Sequence, residues 1–93
     1  MKINLQSLHF KAGDDLTAFV DEKVSKLSRY DDSIISADVT LAVDGNSVEN
    51  KVCDIRLIVP GNDDFVKRNA ATFEEAIAGC VDTLQKIITE KKR

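Results

Sequence analysis

Histidine and cysteine are nearly missing from this sequence, and most metal and thiol chemistry goes with them. His9 is the single histidine in 93 residues, and the two cysteines, Cys53 and Cys80, stand far apart. No Cys or His pair has the two-to-five-residue spacing that gathers zinc ligands, so no metal and no other cofactor is expected. Cys53 falls in an apolar strand-like run and Cys80 on the apolar side of a helical one, which suits small core residues rather than a redox pair. Neither G-x-G-x-x-G nor G-x-x-x-x-G-K occurs, so there is no signal for a nucleotide cradle. No apolar run approaches the ~20 residues that cross a bilayer, and the N-terminus has no hydrophobic segment suited to secretion. A cytoplasmic protein with no membrane partner is expected. Aromatic residues are 5% of the chain. Phe10 and Tyr30 lie near the ends of a helix, where they could stack on bases, while Phe19, Phe65 and Phe73 are better used in a core. A positive excess is absent too: 16 acidic residues face 13 basic ones. A partner made of phosphate would have to meet a local basic patch.

The remaining composition, 43% apolar, argues for one folded domain spanning residues 1–93. At this length folding buries about 60–65% of the unfolded surface, enough for one core and too little for an enclosed active-site chamber. Ile3 and Leu5 alternate with polar neighbours, predicting a strand that runs to Leu8. Gly13-Asp14-Asp15 breaks it, and either aspartate can cap the helix that follows. Leu16, Phe19, Val20, Val24 and Leu27 form one stripe of an amphipathic helix of about four turns, which Tyr30-Asp31-Asp32-Ser33 ends. Period two then returns, with Ile35, Ala37, Val39, Leu41 and Val43 facing one way. Asp44-Gly45-Asn46-Ser47 predicts a turn. Cys53, Ile55, Leu57 and Val59 give the inward face of the next strand, and Pro60-Gly61-Asn62-Asp63 closes it. A weaker strand spans Phe65 to about Ala70. Thr72 and Glu75 have capping-box spacing before a helix striped by Phe73, Ala76, Ile77, Cys80, Val81, Leu84, Ile87 and Ile88. Lys91-Lys92-Arg93 would sit at its negative end.

The order strand, helix, three strands, helix predicts an α+β, two-layer plate. Both helices pack on one face of a four-stranded mixed sheet, and the first crossover makes strands one and two parallel. The other sheet face, carrying Asp38, Thr40, Asp54 and Arg56, is left to solvent. The aspartate pairs at 14–15, 31–32 and 63–64 fall at turns, where adjacent carboxylates diverge rather than share a proton. His9 has no nucleophile beside it. No enzyme activity is expected.

Lys23, Lys26 and Arg29 form a slanted strip on the first helix. Lys23 falls inside the apolar stripe, so its ammonium must reach past its neighbours. The strip can be read as snorkelling cations paired with Asp21 or Glu22, or as three charges set to meet phosphates, and the charge pattern does not separate the two. Lys67-Arg68 add a second positive spot on a strand, where they point to opposite faces, and Lys86 a third on the last helix.

Residues Leu16 to Tyr30, followed by Asp31-Asp32-Ser33-Ile34, resemble the L-x-x-F/Y-V-x-x-K-x-x-K-L-x-K/R-Y/F stretch of the ribosome hibernation promoting factors. This family is also described as sigma-54 modulation protein or ribosome-associated translation inhibitor. Thr72 to Leu84 is similar to its F/Y-x-A-I-D-x-x-x-D-K-L region, and the likeness covers essentially the whole chain. It implies a plate reminiscent of double-stranded RNA-binding domains. It further implies binding to the RNA of the small ribosomal subunit, 16S-type rRNA, in the channel used by mRNA and tRNA anticodon arms. Translation would then be blocked by occupancy during starvation or stationary phase. Lys23, Lys26 and Arg29 match the family's basic helix-one positions, and Lys67, Arg68 and Lys86 are further candidates for rRNA contact. Ala78 and Thr83 depart from the pattern, where aspartate and a basic residue are usual. The chain resembles the short form of the family, and the free protein is expected to be monomeric. A regulatory adaptor that binds protein through the exposed sheet face is the competing expectation.

Overall fold

A computed structural model describes residues 1–45 and 48–91. The second half of the predicted Asp44–Ser47 turn and the cations Lys92 and Arg93 lie outside the described residues. The elements run β1 (Lys2–Leu8), α1 (Asp14–Ser25), a 3-10 turn (Lys26–Arg29), β2 (Ser36–Val43), β3 (Lys51–Val59), β4 (Asn62–Ala70) and α2 (Phe73–Lys91). The four strands lie in the order β1-β2-β3-β4, with β1 parallel to β2 and the other pairs antiparallel. Both helices cover one face, giving the predicted two-layer α+β plate.

Alternation sets that face. Ala37, Val39 and Leu41 of β2, Cys53, Ile55 and Leu57 of β3, and Val66 of β4 are buried against Val20, Val24 and Leu27 from the first helical segment and Ala76, Ile77, Cys80 and Leu84 from α2. Each fully buried Leu, Ile or Val contributes about 1.5–3 kcal/mol relative to exposure. The Cys80 thiol donates to the Cys53 carbonyl at 3.2 Å, and both cysteines are free and buried. The neighbouring Cys80 thiol, and after it burial, pushes Cys53 far above the ordinary thiol range. Both sulfurs are wholly buried, so the pair fills space in the core.

Four expectations are corrected. Ile35 and Val43 have the inward parity, yet are 58% and 48% exposed: Ile35 precedes β2, where Ile34 takes the core position instead, and Val43 is the last residue of the strand. Phe65 is 53% exposed on the open face; its partner across the ladder is outward-facing Arg56, and Val66 takes the core position opposite Ile55. β4 begins at Asn62 rather than near Phe65. Pro60 and Gly61 alone make the connection, with Gly61 at φ +78°, which suits the third position of a type II turn. Gly13, not an aspartate, is the N-cap of α1 and supplies no side-chain acceptor; Asp14 and Asp15 occupy the first turn instead, where they complement the helix dipole.

The α2 cap is as expected, with the Glu75 amide donating to the Thr72 hydroxyl at 3.1 Å. Thr72→Ala is expected to cost about 1 kcal/mol, lowering Tm by about 4–8 °C in thermal unfolding followed by circular dichroism. An unchanged Tm would show that the cap contributes nothing.

Candidate nucleic-acid interface

The topology aligns the helices. α1 returns between two parallel strands and therefore runs against them, while α2 runs back against β4, which is parallel to β2. The two helices thus point the same way. Their N-terminal ends together carry Asp14, Asp15, Glu74 and Glu75, while Lys26 and Arg29 end the first helical segment. A chain of net charge −3 therefore has a helical layer with an acidic end and a basic end.

The basic end is shaped by a change of helical period. The Tyr30 and Asp31 amides both donate to the Leu27 carbonyl, at 3.1 and 3.3 Å, and Lys26–Arg29 winds as 3-10 rather than as a fourth α turn. Residues three apart eclipse in such a turn, so Lys26 and Arg29 lie in line instead of slanting around the axis. The Ser33 amide donates to the Asp31 carboxylate at 2.9 Å and turns the chain toward β2.

Between the helices lies a groove of about 220 Å³ lined by Lys23, Lys26, Leu27 and Tyr30 on one side and Ala78, Val81, Asp82 and Gln85 on the other. Leu27 and Val81 are buried and form its floor, and Tyr30, 39% exposed, stands at its rim. The Lys23 ammonium lies over the Phe19 ring, 5.5 Å from the centroid, which resolves how a cation sits inside the apolar stripe.

The six cations expected to meet RNA do not form one surface. Lys23 and Lys26 share the groove, and Arg29 is exposed just beyond it. Lys86 is exposed on α2 outside the groove lining. Lys67 pairs across the ladder with Asp54 on the open sheet face, the opposite layer of the plate. Arg68 has the helix-side parity, and its guanidinium reaches α2, donating to the Thr83 hydroxyl at 2.7 Å while its stem passes Gly79. A cation from β4 thus stands at Thr83, where the resembling pattern has a basic side chain on the helix itself. Phe10, read as free for stacking on bases, instead stacks on Phe73 with centroids 4.9 Å apart. The α2 wall of the groove was missed in the sequence. Ala78, Val81, Asp82 and Gln85 have i, i+3, i+4, i+7 spacing beside the core stripe, and that spacing was the available signal.

Among the described residues no cluster of three or more His, Cys, Asp and Glu side chains could hold a metal ion, and no helix is long and apolar enough to cross a membrane.

Comparison with known proteins gives this geometry relatives. The N-terminal domain of Protein Y from Thermus thermophilus is similar, with a TM-score of 0.84 and 26% identity over 97% of this chain and 98% of that one. A ribosomal subunit interface protein from Coxiella burnetii shares the fold, with a TM-score of 0.87 at 14% identity over 99% of this chain and 98% of that one. No curated protein matches the chain by sequence. Residues 3–93 match the family described as Sigma 54 modulation protein / S30EA ribosomal protein, and with nearly every residue and the whole plate accounted for, the chain belongs to that family.

Proposed function

We propose that the chain is a ribosome hibernation factor that acts in the cytoplasm, binding the small ribosomal subunit in the decoding channel and inhibiting translation by occupancy. The observation that carries this reading is the family match over residues 3–93. The basic end of the helical layer supports it, since Lys23, Lys26 and Arg29 are gathered there. Lysines approach phosphate as compact point charges, and Arg29 can grip one through its guanidinium fork. Arg68 and Lys86 extend the positive charge along the same layer. The acidic end disfavours contact with unrelated RNA, so that shape as well as charge selects the site.

Inhibition by occupancy is stoichiometric. In a purified translation system it should rise with the factor-to-ribosome ratio and near completion only when most small subunits are filled. Prior binding of initiator tRNA and mRNA should weaken it, and the ribosomal RNA should stay uncut. Potent inhibition at about one factor per hundred ribosomes would contradict occupancy, because a blocker cannot outnumber itself without turnover.

The adaptor reading rests on a separate observation. Exposed Phe65, with the Arg56 guanidinium 5.7 Å from its ring centroid, marks the uncovered sheet face as a surface with an aromatic anchor and a cation. Sedimentation through sucrose separates the two readings: comigration with small subunits supports the first, and recovery of a protein partner without ribosomes supports the second.

A further inference from the structure

The inter-helix groove is more specific than a phosphate clamp needs to be. A surface that only tracks a nucleic-acid backbone is lined with cations, whereas this groove sets the Asp82 carboxylate and the Gln85 amide across from Lys23 and Lys26. A carboxylate there repels phosphate, so it must face a part of the ligand that donates hydrogen bonds. Among the described residues no side-chain hydrogen bond engages Lys26, Tyr30, Asp82 or Gln85, all of which line the groove. Its floor of Leu27, Ala78 and Val81 is apolar, and Tyr30 offers a ring at the rim. At about 220 Å³ the groove is smaller than the ~300–1,000 Å³ of drug-sized pockets and suits a flat group the size of one nucleobase.

We infer that this groove takes a single unstacked guanine nucleotide of single-stranded RNA, an inference that deepens the ribosome-binding reading and rests on it for the source of the RNA. The base lies on Ala78 and Val81, above the buried Leu27, with Tyr30 against its face. Lys23 and Lys26 take its phosphate from the α1 wall. The Watson–Crick edge turns to Asp82, and the edge decides the base. Guanine presents a ring N–H and an amino group side by side, two donors for the two carboxylate oxygens. Adenine and cytosine place a ring acceptor beside their amino donor, and uracil flanks its one donor with two carbonyls, so each would set a lone pair against the carboxylate. Gln85, which both donates and accepts, can serve a guanine carbonyl or sugar hydroxyl without choosing among bases.

The test is a nuclear magnetic resonance titration of the full chain with 5′-GMP, 5′-AMP, 5′-CMP, 5′-UMP and inorganic phosphate, run beside cosedimentation with small subunits. GMP should shift the amides of Leu27, Tyr30, Val81 and Gln85 and bind at least about fivefold tighter than the other nucleotides. Asp82 is exposed, so Asp82→Asn should fold normally. That variant should lose the GMP preference while the other nucleotides bind as well or better, since a repelling charge is gone. Lys26→Ala should weaken all four alike. Equal shifts from the four nucleotides, or shifts no larger than those from phosphate, overturn the pocket, as does a GMP preference that survives Asp82→Asn. If GMP binds as described but the protein fails to cosediment, the ribosome reading falls and the pocket stands; cosedimentation without GMP preference does the reverse.

Discussion

Replacing Lys23, Lys26 and Arg29 together with alanine is expected to raise the Kd for small ribosomal subunits by about 30-fold or more, equivalent to above ~2 kcal/mol. The three cations end one helical segment, two of them line the groove, and the 3-10 turn puts Lys26 and Arg29 in line. Charge-assisted contacts to phosphate in a partly dehydrated channel are worth more than surface ion pairs, because less water competes for the charges. Salt dependence gives a second readout. Each lost phosphate contact removes roughly 0.7–0.9 from the slope of log K against log salt, so three should flatten it by about 2–3. Lys67→Ala is the internal control, since Lys67 faces away from the helical layer and should leave affinity and slope unchanged. The fold should survive the triple substitution, because none of the three side chains is fully buried. An unchanged Kd at about 0.1 M salt, with unchanged circular dichroism, would remove these residues from the interface.

Leu84→Ala is expected to destabilise the fold by about 2–5 kcal/mol, visible as a lower urea midpoint with little change in slope. Leu84 is wholly buried in the cluster that α2 shares with β3 and β4, with Ile55, Ile77, Cys80 and Ile88 in the same cluster. The rest of the cluster can close only part of the space left by the missing branch, so a cavity cost adds to the lost burial. Against a typical total of 5–15 kcal/mol this is a large share. Ile87→Ala, on the half-buried flank of the same helix, should cost clearly less. A loss below about 1 kcal/mol at Leu84 would mean that α2 does not seal the sheet.

The element order was legible in the chain itself, because it depends on periods that neighbouring residues express. Ala37, Val39 and Leu41 alternate, the α2 stripe repeats at helical spacing, and Thr72 caps where its spacing to Glu75 says it should. One-sided helices and a one-sided sheet admit few arrangements, so the plate followed from the same pattern. Periodicity says which side a residue faces and not what lies over it. Ile35 and Val43 have inward parity but meet solvent, because the alternation holds only within the strand: Ile34 takes the core position ahead of β2, and Val43 is its last residue. Phe65 looks like core by its chemistry and is exposed, because the two-residue connection at Pro60 and Gly61 sets the β4 register and puts it opposite Arg56. The cations show the same division. Their helical and strand positions can be read in sequence, but only the packing of two parallel helices joins Lys23 and Lys26 to Asp82 and Gln85. Only the fold brings Arg68 of β4 to Thr83 of α2, since contacts between residues distant in sequence leave no local period to read.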